Sequence, residues 1–350
     1  MKLCIVGLPQ TGKKLFFELL IGSSINTDRQ KTIAGVAEIK DARFESLAAM
    51  YQPKKEVKAR INLSLLPGFE TGNAEKSIFK DIDDADAICH VVRAFNDDSV
   101  YHVSGSVNPL RDIESINSEL LLYDLIFIEK RMERIIKDSK IRFEKRLQEE
   151  EKLLTRFRRH LESDKPLRTA SISDEEAKLI SGYPFLTKKP LLIALNVNDA
   201  SETGTETLAK ICEELMMDII SIPVKTEWEI SQLENAEEQR AFMDDAGIAE
   251  SALSMLSSHV IKVLGLISFF TVGKDEVRQW LIRADSSAPE AAGAIHTDIQ
   301  RGFIRAEVMK YADLMEHGTE ENLKKAGKFH ILGKDYIVED GDIINFRFNV

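Results

Sequence analysis

The chain has 350 residues, 43% hydrophobic and 30% charged, enough apolar material for two or three cores of ordinary domain size, and its composition is neither disordered nor collagen-like. Its 47 basic residues against 58 acidic ones leave a net charge of −11, which argues against charge-driven wrapping of nucleic acid over the whole surface. A local basic patch stays open.

Met1 to Leu8 is a short apolar run ending in a glycine-bearing turn, and Lys13 to Leu20 follows with Leu15, Phe16, Leu19 and Leu20 at helical spacing. The pattern predicts strand, loop, helix. The loop, Gly7-Leu8-Pro9-Gln10-Thr11-Gly12-Lys13, fits GxxxxGK in the context where that motif has physical meaning. Its glycines let successive N–H groups converge on phosphate oxygens, the helix start adds its dipole, and Lys13 neutralises the terminal phosphates. At the next position a Ser or Thr hydroxyl normally ligates Mg2+, but here stands Lys14, whose ammonium donates and cannot coordinate a cation. Three readings follow. Lys14 points to solvent and Mg2+ is held weakly, or its charge partly replaces the metal, or it is a plain surface lysine in a decayed site.

Runs rich in β-formers recur at Ile61 to Leu66, Ala87 to Val92, Pro190 to Val197 and Asp218 to Val224. Spaced by helical or polar stretches, they predict an α/β domain with a largely parallel sheet. Glu119 to Leu161 differs, with one seam of Leu121, Leu125, Ile128, Met132 and Ile135 and another of Leu147, Leu154, Phe157 and Leu161. The polar Lys137-Asp138-Ser139-Lys140 separates the seams, predicting two antiparallel helices inserted between strands. Residues 119–168 carry 14 basic against 11 acidic side chains, a weakly basic arm whose plain reading is a solvated helix face.

From Ser268 to Val350 a small α+β domain with a mixed sheet is expected. Phe269-Phe270-Thr271-Val272-Gly273 opens it, and strand-like runs at Asp335 to Val338 and Ile343 to Phe348 close it. Cys4, Cys89 and Cys212 lack paired spacing and the seven histidines lack metal spacing, so no metal site or disulfide frame is expected. His90 reads as a core histidine. The N-terminal apolar stretch is too short for a signal peptide, and Val263 to Val272 falls far below the roughly 20 residues that span a bilayer. A cytoplasmic protein without a membrane partner is the expectation.

Further stretches carry a resemblance: Ile5-Val6-Gly7-Leu8-Pro9, then His90-Val91-Val92-Arg93 with Phe95, then Val103, Gly105, Val107, Pro109 and Leu110, then Asn196-Val197-Asn198-Asp199. The C-terminal run adds Phe270-Thr271, Glu276-Val277-Arg278, Trp280, Ala288-Pro289, Arg301 to Val308 and Phe346 to Val350. In this order and over nearly the whole chain they resemble the YchF/Obg-like ATPase family. The resemblance implies a Ras-like P-loop NTPase domain (residues 1–118 and 188–266), an inserted antiparallel coiled coil (119–187) and a C-terminal β-grasp TGS domain (267–350). It implies a purine nucleotide held by Gly7, Pro9, Gln10, Thr11, Gly12, Lys13 and Lys14, with Lys13 as the catalytic group. Asn196 and Asp199 match its base-reading motif, and Val224-Lys225 its second base loop, where Pro223 removes a backbone donor.

ATP hydrolysis and ribosome association are implied as well, against which stand several departures. Leu65 replaces the DxxG aspartate that holds Mg2+ through water, and the first switch is shortened after Thr32-Ile33. The glycine-rich loop after Gly68 is shortened too, and Phe69 fills the slot of the water-orienting glutamine, as is normal for the family. Asp199 stands where the family has Glu. Its carboxylate either accepts from guanine N1–H and N2–H2 or merely begins a loop, so both ATP and GTP remain open. Arg301, Arg305 and Arg347 either touch RNA phosphates or pair with carboxylates. The expectation is a monomer that binds ATP or GTP with Mg2+ weakened, hydrolyses slowly or not at all, and meets ribosome or RNA through coiled coil and TGS domain. The alternative is an adaptor that binds no nucleotide.

Overall fold

The computed structural model describes residues 1–25, 31–68, 79–139, 145–199, 206–233, 235–245 and 251–349. They form two compact units, Met1–Ala37 with Asn62–Ala252 and Glu38–Ile61 with Leu253–Val350.

In chain order the elements are β1 (Lys2–Val6), α1 (Lys13–Ile21), β2 (Ile33–Glu38), α2 (Ala42–Tyr51), β3 (Lys55–Val57), β4 (Arg60–Leu65), β5 (Ala87–Arg93), α3 (Pro109–Ser139), α4 (Lys145–Glu162), α5 (Asp174–Leu179), β6 (Leu191–Asn196), α6 (Glu206–Glu214), β7 (Met217–Ile222), α7 (Val224–Ser231), α8 (Ala236–Asp245) and α9 (Ala252–Val263). The first sheet runs β2-β4-β1-β5-β6-β7, with every pairing from β4 to β7 parallel. β5 and β6 are buried at every position, which is why they read as unbroken apolar runs. The order reverses about β1, so the loop leaving that strand opens at a switch point, where open α/β sheets bind ligands. The run expected to continue to Val224 stops earlier. Pro223 precedes α7 and Val224 opens that helix, because proline cannot donate to a strand ladder.

The helical hairpin is continuous with the sheet domain. α3 begins at Pro109, ahead of the expected Glu119, and its first turns pack Ile113, Ile116 and Leu120 against Ile88, Val92 and Ile193. Farther along, Leu121, Ile128 and Ile135 meet Leu154, Phe157 and Leu161, with Leu125, Met132 and Leu147 half-buried beside them. The helices join near the polar stretch, as expected, with Lys137 to Ser139 forming the end of α3 and α4 starting at Lys145. Lys140 lies outside the described residues. Arg131 clasps Glu150 across the hairpin with two bonds of 2.6 and 2.9 Å, and the Tyr183 hydroxyl donates to the same carboxylate. At the hairpin's base Asp124 accepts from the backbone N–H groups of Leu186 and Thr187, each at 2.9 Å, and from the Thr187 hydroxyl at 2.6 Å.

The second unit adds β8 (Leu266–Thr271), β9 (Glu276–Arg283), α10 (Ala288–Ile295), α11 (Thr297–Arg301), β10 (Phe303–Lys310), α12 (Tyr311–His317), α13 (Glu320–Lys325), β11 (His330–Leu332) and β12 (Asp342–Phe348). Its sheet, β11-β10-β12-β8-β9-β3, is mixed: β8 is parallel to β12 and β3 to β9, and the remaining neighbours are antiparallel. Alternation along β8 sends Phe269 into a core with Ala288, Ala291 and Phe346 and Phe270 into another with Phe44, Leu47 and Ile343. Phe44 and Leu47 belong to α2, so Glu38–Ile61, within the stretch assigned from sequence to the P-loop domain, folds with the C-terminal residues.

Asp335 to Val338 is not a strand. It makes one bridge, Ser287 with Ile337, because its backbone bonds instead to the turn before α10, Ala288 N–H to Tyr336 at 2.8 Å and Val338 N–H to Ser286 at 2.9 Å. Arg301 pairs with Asp298 and Arg347 with Glu307. All three cysteines are buried free thiols. Among the described residues no helix is long and apolar enough to cross a membrane.

Candidate nucleotide site

The loop between β1 and α1 is shaped by close approach. A Cβ on Gly7 would stand 2.6 Å from the Val91 carbonyl oxygen, and one on Gly12, whose φ is +85°, would collide with the Asn196 amide. Only glycine satisfies both positions. Gln10 also takes a positive φ of 63°, strain of the kind that surrounding structure must hold in place. The Thr11 hydroxyl braces the turn by donating to the Leu8 carbonyl at 3.1 Å.

Lys13 folds back, its Nζ donating to the Gly7 carbonyl at 2.7 Å, and burial lowers its pKa to about 8. His90 is buried nearby with no partner for Nε2 among the described residues. Burial first, and the Lys13 charge second, lower it to about 3, so it stays neutral at physiological pH, as a core histidine.

Asn196 ends β6 beneath the loop. Its Nδ2 donates to the Thr11 carbonyl at 3.0 Å and its Oδ1 accepts the Val224 N–H at 3.3 Å, joining loop, β6 and α7. Replacing Asn196 by Ala should cost about 1–3 kcal/mol, since the Val224 N–H is left unsatisfied in a buried place. It should also weaken nucleotide binding, measured by urea unfolding and calorimetry. Asp199 and Lys225 are exposed while Val224 is buried, and Asn196 links the loop to Val224. Phe69 and the shortened glycine-rich loop lie outside the described residues.

Two residues beside the site carry structure that local pattern did not assign. Asn198 bonds the backbone of Asn96 at both N–H (2.9 Å) and carbonyl (3.3 Å). Buried Arg93 donates to the carbonyls of Phe95, Asp97 and Val100 at 2.9–3.2 Å and lies over the Phe95 ring. Arginine at the end of an apolar strand was the available signal.

A cleft of about 590 Å³ is lined by the loop from Pro9 through Lys14, by Lys31 and Ile33, and by Leu65 to Gly68, a volume suited to a small ligand. Lys14 is 51% exposed and reaches Glu18 at 3.7 Å. Glu18 also accepts the Ile25 N–H at 2.8 Å. The four-residue spacing of this pair was readable on a helix, whereas Lys31 gave no local signal. A second groove, about 650 Å³, lies in the C-terminal unit beside Lys55, Lys58 and Arg60. Each of those cations is paired with a carboxylate, Glu276, Glu45 and Glu38, so its charge is already met.

Among the described residues the side-chain donor set of the cleft does not fit Mg2+. The side chains of Lys14 and Leu65 offer no oxygen, and the Thr11 side chain is buried. Among the described residues the one carboxylate lining the cleft is Glu18. No group of three or more His, Cys, Asp or Glu that could hold a metal occurs among the described residues.

A parallel sheet with GxxxxGK at its switch point, a helical insertion and a C-terminal mixed-sheet domain is the architecture of a P-loop protein. A family model, YchF-GTPase_C, described as "Protein of unknown function (DUF933)", matches residues 266–349. The chain is 39% identical over 362 residues to a Bacillus subtilis protein named "Ribosome-binding ATPase YchF", covering 99% of this chain and 98% of that one. It is 35% identical over 366 residues to "Obg-like ATPase 1" of Caenorhabditis elegans, covering 100% and 92%. The solved Schizosaccharomyces pombe structure entitled a YchF GTPase superposes with a TM-score of 0.84 at 30% identity, covering 99% of this chain and 97% of that one. The chain belongs to the YchF/Obg-like ATPase family.

Proposed function

We propose that this protein binds a purine nucleoside triphosphate, ATP or GTP, on its phosphate loop, turns it over slowly or not at all, and works on the ribosome. The observation that carries the reading is the preformed loop, in which Gly7 and Gly12 admit close backbone approach, Asn196 holds Thr11, and Lys13 sits at the loop's centre. Gly7, Pro9, Gln10, Thr11, Gly12, Lys13 and Lys14 would meet the phosphates, with Asn196, Asp199, Val224 and Lys225 on the base side. Lys13 is the group that would stabilise charge on a transferred phosphoryl. Slow turnover is supported by Leu65 at the switch position and Lys14 at the metal-ligand position. The ribosome and ATPase parts rest on the names of the relatives. The helical hairpin and C-terminal domain are the surfaces we assign to ribosome or RNA, in a cytoplasmic monomer.

Calorimetric titration with ATP, GTP, ADP and GDP tests the first part, and co-sedimentation with ribosomes tests the second. Binding of at least one purine nucleotide with turnover below about 0.01 s⁻¹, the range of unassisted Ras-like proteins, is expected. Failure to bind any of the four would leave an adaptor that acts without nucleotide.

A further inference from the structure

We infer that the cleft takes its nucleotide without a divalent cation, Lys14 supplying, beside Lys13, the positive charge that a bound metal supplies in other phosphate loops. The inference rests on the nucleotide-binding reading above and goes beyond it by specifying the ionic form of the ligand.

Three features of the cleft converge. The first is the donor set: Mg2+ needs near-octahedral oxygen ligands at short range and holds its waters tightly, so it is normally anchored by at least one carboxylate or hydroxyl. Here the side chain after Lys13 is an ammonium and not a hydroxyl, Thr11 is buried, and Leu65, 5% exposed, closes the position of the usual aspartate with hydrocarbon. The second is charge. Among the described residues Lys13 and Lys14 line the cleft with Glu18 as the single carboxylate, so a divalent cation entering with the phosphates meets like charge, and a triphosphate without one meets opposite charge.

The third is the freedom of Lys14. Its side chain is half exposed and its contact with Glu18 is a long 3.7 Å pair on a helix surface, a weak interaction that screening erodes further. Glu18 does not depend on it, being held by the Ile25 N–H. The lysine can therefore turn to the phosphates without unpicking the fold. Placed one residue after Lys13 on the first turn of α1, it adds to the helix dipole on the anion side.

The test is calorimetric titration of the full chain with ATP and with GTP, in excess Mg2+ and in EDTA, on the parent, Lys14→Gln and Lys14→Thr. Affinity in EDTA equal to or above that in Mg2+, falling about tenfold in both variants, is expected. Mg2+ tightening parental binding by about tenfold or more, or Lys14 variants binding as tightly as the parent in EDTA, overturns the inference and leaves the nucleotide site standing. Absence of binding in both buffers overturns the nucleotide reading itself. Mn2+ gives a readout independent of turnover: adding protein to the Mn2+ complex of the nucleotide that binds should raise the free aquo-Mn2+ spin-resonance signal as metal is stripped from the ligand. An unchanged or falling signal overturns the inference. Melting temperatures within a few degrees of the parent, expected for an exposed position, show that the variants fold.

Discussion

Lys13→Ala should weaken nucleotide binding by about 100-fold, equivalent to roughly 2.7 kcal/mol, while the melting temperature of the free protein changes little. The loss follows from position. The ammonium sits inside the loop with its Nζ on the Gly7 carbonyl at 2.7 Å, and removing a largely desolvated cation that faces an anion typically costs 2–5 kcal/mol. Arginine should not rescue it fully, since even a Cβ on Gly68 would stand 2.9 Å from Nζ, leaving little space for a guanidinium.

The same lysine should give the affinity a pH dependence. Burial lowers its pKa to about 8 in the free protein, and bound phosphate favours the charged form and raises it. Above pH 8 binding must take up a proton, so affinity should fall by up to about tenfold per pH unit until the bound-state pKa is passed. Below about pH 7 it should be flat on this account. Lys13→Ala should lack the slope, which separates this lysine from Lys14. For folding the sign is opposite: the unfolded value of 10.5 lies above the folded one, so the unfolded chain binds more protons between them. This group's contribution to stability therefore rises from about pH 8 upward.

Asp124→Ala should be the most destabilising single change at the hairpin, about 3–5 kcal/mol by urea unfolding. Asp124, Leu186 and Thr187 are all fully buried, and one carboxylate satisfies two N–H groups and a hydroxyl. Alanine orphans all three donors at the point where α3 leaves the sheet domain. Asn should be milder because it keeps an acceptor oxygen. Burial outweighs the three donors and raises the Asp124 carboxyl from 3.8 to about 6. A folded value above the unfolded one means the contribution is full below pH 3.8 and declines as pH rises through 6. The stability advantage of the parent over Asp124→Asn should therefore be larger at pH 4 than at pH 7.

Much of the first unit was legible because its signals are local. The apolar runs that became β1, β5 and β6 are central strands buried on both faces, and burial on both faces demands apolar residues in sequence. Gly7, Gly12 and Lys13 announced a phosphate loop because a tight turn before a helix restricts residue type regardless of the rest of the chain. The seams of α3 and α4 were visible for the same reason, their period being a property of one helix. Asp335 to Val338 misled because β-forming residues in a short run also suit a loop whose backbone finds partners elsewhere.

The strand–loop–helix start, the inserted hairpin, the mixed C-terminal sheet and the family resemblance were all carried by residue types at fixed short spacings. Tertiary structure alone decided that α2 and β3 complete the C-terminal unit, that Asn196 grips the loop at Thr11, and that Asp124 anchors the hairpin from 62 and 63 residues away. It also decided that Lys13, Lys14 and Glu18 line one cleft with Leu65. The physical reason is that a spacing constrains neighbours along one element, whereas the partner of a buried polar group is set by which distant segments the hydrophobic core brings within hydrogen-bond reach.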